Sequence, residues 1–121
     1  MVLCDRFSAS TFAYQVGAGR ADEQRFWVLD EHFVYRQPDT YFYLDAPLSE
    51  RKKRLGIRNG GADRFDDVVD QLEELLLPAY DRFLEQAPQR HAYRHTRFLQ
   101  VDASEDLESV SDMCFRLIVS L

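Results

Sequence analysis

The chain lacks the features that mark membrane, secreted disulfide-rich and nucleic-acid-binding proteins. No apolar run approaches the roughly 20 residues of a membrane-spanning helix, and no secretion signal is visible at the start. The only cysteines are Cys4 and Cys114. Both lie in apolar surroundings, so we expect reduced core thiols in a cytoplasmic protein and no disulfide. A net charge of −6 disfavours a nucleic-acid surface.

What the chain does have is enough apolar sequence for one domain. Of its 121 residues, 45% are hydrophobic. Short apolar or β-branched runs alternate with helical patterns, which predicts parallel β-α-β units. The predicted strands are Met1–Cys4, Thr40–Asp45 and Arg97–Val101. The predicted helices run from about Ser8 to Val16, from the cap Asp22 to about Arg36, from Pro47 and Ser49 to Arg58, from Asp66 to about Gln86, and onward from the cap Ser104.

Apolar spacing predicts which faces of these helices are buried. In the second helix the predicted face is Phe26, Leu29 and Phe33. In the long fourth helix, which Pro78 is expected to kink, it is Val69, Leu72, Leu76, Ala79 and Phe83. In the last helix it is Leu107, Val110, Met113, Leu117 and Leu121.

The first chemical feature is a set of polar residues directly after the first predicted strand. Asp5 and Arg6 stand where that strand would meet its loop, which is the edge where ligands bind in open α/β sheets. A guanidinium there suits a bidentate hold on phosphate. Thr11, Tyr14 and Gln15 follow at helical spacing and would share one side of a helix. An ordinary surface ion pair between Arg6 and Asp5 is equally compatible with these residues.

The second feature is a cationic helix. Arg51, Arg54 and Arg58 fall on one face at i, i+3 and i+7, beside Lys52 and Lys53. Such a face becomes favourable when phosphates arrive, as in a phosphoryl-transfer lid, and the following Gly60-Gly61 would let the segment close. A solvated basic face is the alternative. His91 and His95 are spaced i, i+4, but Pro88 favours a loop there and no further ligand completes a metal site.

These residues resemble the thymidylate kinases. That family has an Asp-Arg-aromatic triplet, a Ser-Thr or Ser-Asn pair and an Ala-Tyr-Gln in the order and spacing found here. The resemblance continues through Pro38-Asp39, Tyr43-Leu44-Asp45, Asp63-Arg64-Phe65-Asp66 and Val101-Asp102-Ala103. It corresponds to the C-terminal three-fifths of a typical member.

The resemblance implies roles for particular residues. Arg6 would grip the acceptor phosphate of dTMP, with Asp5 beside it near Mg²⁺. Ser10 and Thr11 form the Ser-Thr pair of the substrate site; Thr11 and Gln15 would read the thymine edge, and Tyr14 would pack against the sugar. The resemblance also implies the residues that would bind ATP, which are Arg54, Arg58, Asp102, Ala103 and Ser104. Asp66 replaces the glutamate that is commoner in the family. The resemblance also implies a homodimer that pairs through helices including the one after Asp22.

One family element is missing from this sequence. Transfer from ATP needs a phosphate loop, G-x-x-x-x-G-K-[ST], and neither Gly17-x-Gly19 nor Gly60-Gly61 fits it. We therefore expect an α/β fold with a three-layer, P-loop-kinase-like parallel sheet and flanking helices, truncated at the N-terminus, as one partial domain over residues 1–121. The functional hypotheses are a dTMP kinase that is incomplete without a phosphate-loop half, or a non-catalytic nucleotide-binding or dimerisation module.

Overall fold

The computed structural model describes residues 1–34, 36–58 and 66–120, without the side chains of residues 55, 57, 58 and 66–73. It has two compact units. The first unit comprises Met1–Pro38 and Asp67–Thr96, and the second comprises Asp39–Asp66 and Arg97–Leu121. None of the helices in the described ranges is both long and apolar enough to cross a membrane.

The first unit is helical. Its elements are α1 (Ser8–Thr11), a π-helix (Phe12–Gly17), α2 (Glu23–Phe33), α4 (Asp66–Gln86) and two short 3₁₀ turns (Ala87–Gln89 and His91–Tyr93). Asp22 caps α2 by accepting from the backbone N–H of Arg25 at 3.0 Å, as predicted. α4 has the predicted bounds and continues through Pro78; a kink there stays a prediction.

Aromatic rings form the core of the first unit. Phe83 of α4 is fully buried and stacks on Trp27 of α2, with ring centroids 5.5 Å apart. The ring centroids of Phe12 in the π-helix and Tyr93 in the second 3₁₀ turn lie 5.8 and 5.9 Å from that of Phe83. Leu76 and Ala79 of the predicted α4 face are also buried. The side chains of Val69 and Leu72 lie outside the described residues.

The second unit contains the sheet, and it confirms the predicted α/β class. β1 (Thr40–Asp45) and β2 (Arg97–Asp102) pair in parallel, from Thr40 opposite Arg97 to Asp45 opposite Asp102. Helices α3 (Leu48–Arg58) and α5 (Leu107–Val119) flank it. Each strand ends in an aspartate, and Asp45 and Asp102 are register partners at the carboxyl edge of the sheet, where ligands bind in open α/β folds.

The core of the second unit lies between the sheet and α5. Buried Val101 and Ala103 pack with Ala46 and Val110, and Met113, Cys114 and Leu117 cover this cluster. This confirms the predicted face of the last helix at Val110, Met113 and Leu117. Leu107 instead is 86% exposed, and Leu121 lies outside the described residues.

The prediction of a strand at Met1–Cys4 is wrong. These residues form neither helix nor strand, and Met1, Val2 and Leu3 are 95%, 92% and 76% exposed. The physical reason is pairing: a strand needs a neighbour for its backbone N–H and C=O groups, and the described sheet consists of β1 and β2 alone. Cys4 is consequently an exposed free thiol, against the expectation of a core cysteine, whereas Cys114 is free and half-buried.

The buried face of α2 also differs from the prediction. Phe26 is buried, but Leu29 and Phe33 are 56% and 78% exposed. The face that packs inward carries Phe26, Trp27 and Asp30. Trp27 contacts the rings of the aromatic core, and Asp30 is buried because hydrogen-bond donors surround it. The helix itself ends at Phe33, three residues before the predicted end.

The cap of the last helix is Asp106 and not Ser104. The Asp106 carboxylate accepts from the Ser109 backbone N–H and from its hydroxyl, both at 2.9 Å. These bonds hold the pKa of Asp106 below its ordinary value of 3.8. A depressed carboxyl pKa adds stability above the ordinary pKa, and that stability is lost as the pH falls through the folded-state pKa.

We expect Asp106→Asn to remove this pH dependence. Asparagine keeps an accepting oxygen for the Ser109 N–H but cannot be protonated in this range. In thermal melts between pH 7 and pH 2, the difference in Tm between the unsubstituted chain and Asp106→Asn should therefore shrink below pH 4. Asp106→Ala should have the lower Tm at neutral pH. A constant Tm difference across the pH range would contradict the assignment of the cap.

Candidate functional site

Arg6 and Tyr14 are brought together in the first unit. The Arg6 guanidinium lies 5.6 Å from the centroid of the Tyr14 ring. Arg6 is exposed, Tyr14 is half-buried, and the adjacent Asp5 is exposed. Arg6 also has a φ of 65°, a left-handed conformation that costs a non-glycine residue about 1–3 kcal/mol. An exposed guanidinium supported on an aromatic face retains its donors for an anion.

The predicted single helix from Ser8 to Val16 is instead α1 followed by a π-helix. The change of pitch comes after Thr11, so Thr11 lies on α1 whereas Tyr14 and Gln15 lie on the wider turn. Both Thr11 and Gln15 are exposed. Such π-helical turns are rare and often occur at functional sites. The positions of Thr11, Tyr14 and Gln15 therefore do not follow the α-helical spacing assumed from the sequence.

Tyr80 joins this region although the sequence did not point to it. Its hydroxyl is 2.9 Å from the hydroxyl of Ser10, one of the predicted substrate-binding residues. Tyr80 lies on α4, 70 residues along the chain from Ser10. The bond places a second phenol beside the segment that carries Arg6 and Tyr14. No local sequence pattern could have identified a pairing across that separation.

Gly17 ends the π-helix at a close contact with α4. A Cβ built on Gly17 would lie 2.5 Å from the Cβ of Ala79 and 3.2 Å from the Leu75 carbonyl oxygen. Only a residue without a side chain fits there. The glycine therefore lets the segment after Gln15 lie directly on α4, which fixes the backbone of the candidate site.

In the second unit, Arg54 connects α3 with the loop after β2. Its Nε donates to Glu50 at 3.0 Å, and its terminal NH₂ donates to the Glu105 carbonyl at 2.8 Å. The structure thus brings Arg54 to the loop that holds Asp102, Ala103 and Ser104, all predicted to lie near ATP. The side chain of Arg58, like that of Asp66, lies outside the described residues, as does the Gly60-Gly61 segment.

The loop after β2 is held by its own hydrogen bonds. The Ser104 backbone N–H donates to the Asp102 carboxylate at 2.9 Å, and the Ala103 N–H donates to the Asp45 carbonyl at 2.6 Å. The hydroxyl of Ser104, and then its N–H, lower the pKa of Asp102. Ala103 is buried in the core of the second unit, whereas Asp102 is exposed. Ser104 thus orders this loop and does not cap α5.

Arg51 is a residue whose position the helical spacing did not predict. Its Nε donates to the Ala46 carbonyl at 2.5 Å, and its guanidinium lies 3.8 Å from the Asp45 carboxylate. Gln100 of β2 donates to the same carboxylate at 3.0 Å. Arg51 thus ties the start of α3 to the end of β1.

Asp5, which the resemblance places near Mg²⁺, is an exposed carboxylate. Mg²⁺ takes six oxygen ligands in a strict octahedron. Across the described ranges, no three or more His, Cys, Asp or Glu side chains lie together so that they could hold a metal. His91 and His95 lie in the predicted loop region, on a 3₁₀ turn and just after it. A magnesium ion at Asp5 would therefore need further oxygen ligands, such as the phosphate oxygens of a nucleotide and water.

Comparison with known proteins identifies the family. The family model described as "Thymidylate kinase" matches residues 1–114. The chain belongs to the thymidylate kinase family. This confirms the resemblance predicted from the Asp-Arg-Phe, Ser-Thr and Ala-Tyr-Gln motifs.

Curated relatives agree with this membership. The thymidylate kinase of Psychrobacter sp. strain PRwf-1 is 32% identical over 97% of this chain and 54% of its own length. That of Chromohalobacter salexigens is 36% identical over 90% of this chain and 49% of its own length. The thymidylate kinase of Alcanivorax borkumensis is 34% identical over 97% of this chain and 53% of its own length. The thymidylate kinase-like chain thus spans about half the length of these relatives. No solved structure matches it.

Proposed function

We propose that this chain supplies the acceptor-binding region and the cationic helix of a thymidylate kinase, which transfers a phosphoryl group from ATP to dTMP and yields dTDP. The observation that carries the proposal is the exposed Arg6 guanidinium resting on Tyr14, within a motif run of the matched family. This sequence contains no G-x-x-x-x-G-K-[ST] run. Transfer therefore requires a phosphate-loop polypeptide, in the same chain or from another.

Binding of dTMP would use the first unit. The planar fork of Arg6 suits two oxygens of the monophosphate, and the Tyr14 ring restricts the directions the guanidinium can take. Thr11 and Gln15 are exposed and offer a hydroxyl and an amide to the thymine edge. The contact of Ser10 with Tyr80 supports the segment from the side of α4. These side chains would thus supply the polar contacts to the phosphate and to the base of dTMP.

Binding of ATP would use the second unit together with a phosphate loop, which this sequence does not contain. Arg54 and Arg58 of α3 would neutralise charge on the transferring phosphates, and residues 102–104 would lie near adenine. When bound together with ATP, Mg²⁺ would supply positive charge that offsets the charge of the phosphates. For Arg54 to reach phosphate, its bonds to Glu50 and to the Glu105 carbonyl would have to exchange for phosphate contacts.

Two further properties of the family belong to the proposal. We expect a homodimer that pairs through α2, because Val28, Leu29 and Phe33 on this helix are 55%, 56% and 78% exposed. Burial of such residues against a second copy would remove apolar surface from water. We also expect the protein to act in the cytoplasm, where nucleotides are made.

Isothermal titration calorimetry with dTMP tests the acceptor site. Arg6→Lys keeps the charge but loses the bidentate fork, so we expect its Kd for dTMP to rise by about tenfold, the equivalent of one charge-assisted hydrogen bond. Arg6→Ala should bind more weakly still. A coupled ADP-release assay, with and without an added phosphate-loop half, then measures turnover.

Arg94→Lys is the matched control. Arg94 is an exposed arginine of the same unit, and its guanidinium donates to the His91 carbonyl at 3.0 Å. Its replacement should leave the Kd for dTMP unchanged. Equal affinities of Arg6→Lys and the unsubstituted chain would refute the phosphate role of Arg6. Binding of dTMP without turnover, even with the added half, would favour the non-catalytic module.

A further inference from the structure

A buried polar cluster in the first unit is not used by the proposed binding site. Asp30 of α2 is 4% exposed, and its carboxylate accepts from the Ser8 hydroxyl and from the Tyr93 hydroxyl, each at 2.5 Å. The Gln37 side-chain amide donates to it at 3.2 Å. We call these four residues the Asp30 cluster. A buried carboxylate is costly unless donors satisfy it, and three donors meet here.

The Asp30 cluster joins segments that are far apart in the chain. Tyr93 belongs to the second 3₁₀ turn and Gln37 to the segment before β1. Ser8 is the first residue of α1 and stands two positions after Arg6. Of the three donors, Ser8 alone lies in the segment that carries the candidate phosphate-binding arginine.

The turn that contains Arg6 needs such an anchor. Arg6 has the left-handed φ of 65°, which a non-glycine residue keeps only when its surroundings impose it. The next residue, Phe7, is the N-cap of α1, and a phenylalanine side chain has no oxygen that could accept from the first turn. Its carbonyl accepts from the backbone N–H groups of Ser10 and Thr11, at 3.0 and 3.3 Å. Two other side-chain bonds hold this segment: the Cys4 thiol donates to the Arg6 carbonyl at 3.1 Å, and the Ser10 hydroxyl lies 2.9 Å from that of Tyr80. The bond between Ser8 and Asp30 differs from both because it joins the first residue of α1 to a buried carboxylate of α2.

We propose that Asp30 is a positioning residue for dTMP: by accepting the Ser8 hydroxyl, it holds the turn at residues 5–7 so that Arg6 presents its guanidinium to the nucleotide phosphate. This inference rests on the proposed function of Arg6. Asp30 itself is buried and would not touch the ligand. The Tyr93 hydroxyl donates to the other carboxylate oxygen of Asp30, and the Tyr93 ring packs in the aromatic core and not against the turn.

Two matched substitutions separate positioning from stability. Ser8→Ala and Tyr93→Phe each delete one hydroxyl that donates to Asp30. For Ser8→Ala we expect amide hydrogen exchange at Ser10 and Thr11 to accelerate about tenfold, and the Kd for dTMP to rise about tenfold, as loss of one hydrogen bond to a charged group would give. For Tyr93→Phe we expect a lower Tm, with both other quantities within about twofold of the unsubstituted chain.

Rescue and replacement variants complete the test. Ser8→Thr keeps the hydroxyl and should restore both the exchange rates and the Kd. Should Ser8→Ala not fold, Ser8→Cys is measured in the same way, because a thiol of similar size is a weak donor. It should show the same two changes.

The outcomes distinguish this inference from the proposed function. If the unsubstituted chain binds dTMP and Ser8→Ala binds it with the same Kd, the positioning role is overturned while the role of Arg6 stands. Equal effects of Ser8→Ala and Tyr93→Phe on the Kd would also overturn it, since both would then act through stability. If the unsubstituted chain binds no dTMP, the proposed function itself is overturned, and positioning for dTMP with it.

Discussion

Replacing Phe83 by alanine should lower the free energy of unfolding by about 3–5 kcal/mol. Phe83 has no exposed surface, and it lies at the centre of the aromatic core. Its ring stacks on Trp27 at 5.5 Å and meets Phe12 and Tyr93 at 5.8 and 5.9 Å. Alanine would leave a cavity among three large rings, and rings of this size cannot all move inward to fill it.

Urea denaturation followed by tryptophan fluorescence measures this loss, because Trp27 is the only tryptophan and stacks directly on Phe83. Phe115→Ala is the matched control. Phe115 lies on α5 and is 65% exposed. Its truncation should change the free energy of unfolding by less than about 0.5 kcal/mol. Similar losses at both positions would mean that the ring of Phe83 is not central to the core.

Placing a methyl group at Gly17 should destabilise the chain by about 1–3 kcal/mol. The new Cβ would lie 2.5 Å from the Ala79 Cβ and 3.2 Å from the Leu75 carbonyl oxygen. Neither atom belongs to a flexible side chain, so α4 or the π-helix has to move. Because Gln15 stands two residues before Gly17, we also expect Gly17→Ala to weaken dTMP binding.

Gly56→Ala should change the free energy of unfolding in the opposite direction in the same experiment. Gly56 lies within α3, and apart from its chain neighbours and the nearby backbone of that helix, no atom of the described residues is within 4 Å of a Cβ built there. Alanine in a helix interior should stabilise by about 0.5–1 kcal/mol relative to glycine. The two variants are compared by urea denaturation. A stabilising Gly17→Ala would show that the contact with α4 is looser than the structure has it.

Elements with local signals were predictable from the sequence. The pattern from Thr40 to Asp45 predicted β1 with its observed bounds, and the apolar spacing after Asp66 predicted α4. Asp22 was recognised as a cap because a cap acts within one turn. The same local reasoning wrongly assigned the cap of α5 to Ser104, whereas the cap is Asp106. Both residue types can cap, and only the backbone geometry distinguishes which one does.

The candidate site was predictable as a set of residues but not as an arrangement. The motifs placed Arg6, Ser10 and Tyr14 in one short segment, and the family match agrees. The π-helix after Thr11 changed the pitch on which the predicted common face of Thr11, Tyr14 and Gln15 depended. The partner of Ser10, Tyr80, and the contact of Gly17 with Ala79 both come from α4. No spacing rule applies to residues brought together by folding.

The sequence by itself determined the family, the chemistry of the motif residues and most helix and strand bounds, because these depend on residues within a few positions of one another. Tertiary structure alone decided that Asp30 is buried, since its donors Ser8 and Tyr93 are 22 and 63 residues away. It alone also decided that Met1–Cys4 is not a strand. Burial and strand pairing both need partners from distant parts of the chain, and packing in three dimensions chooses those partners.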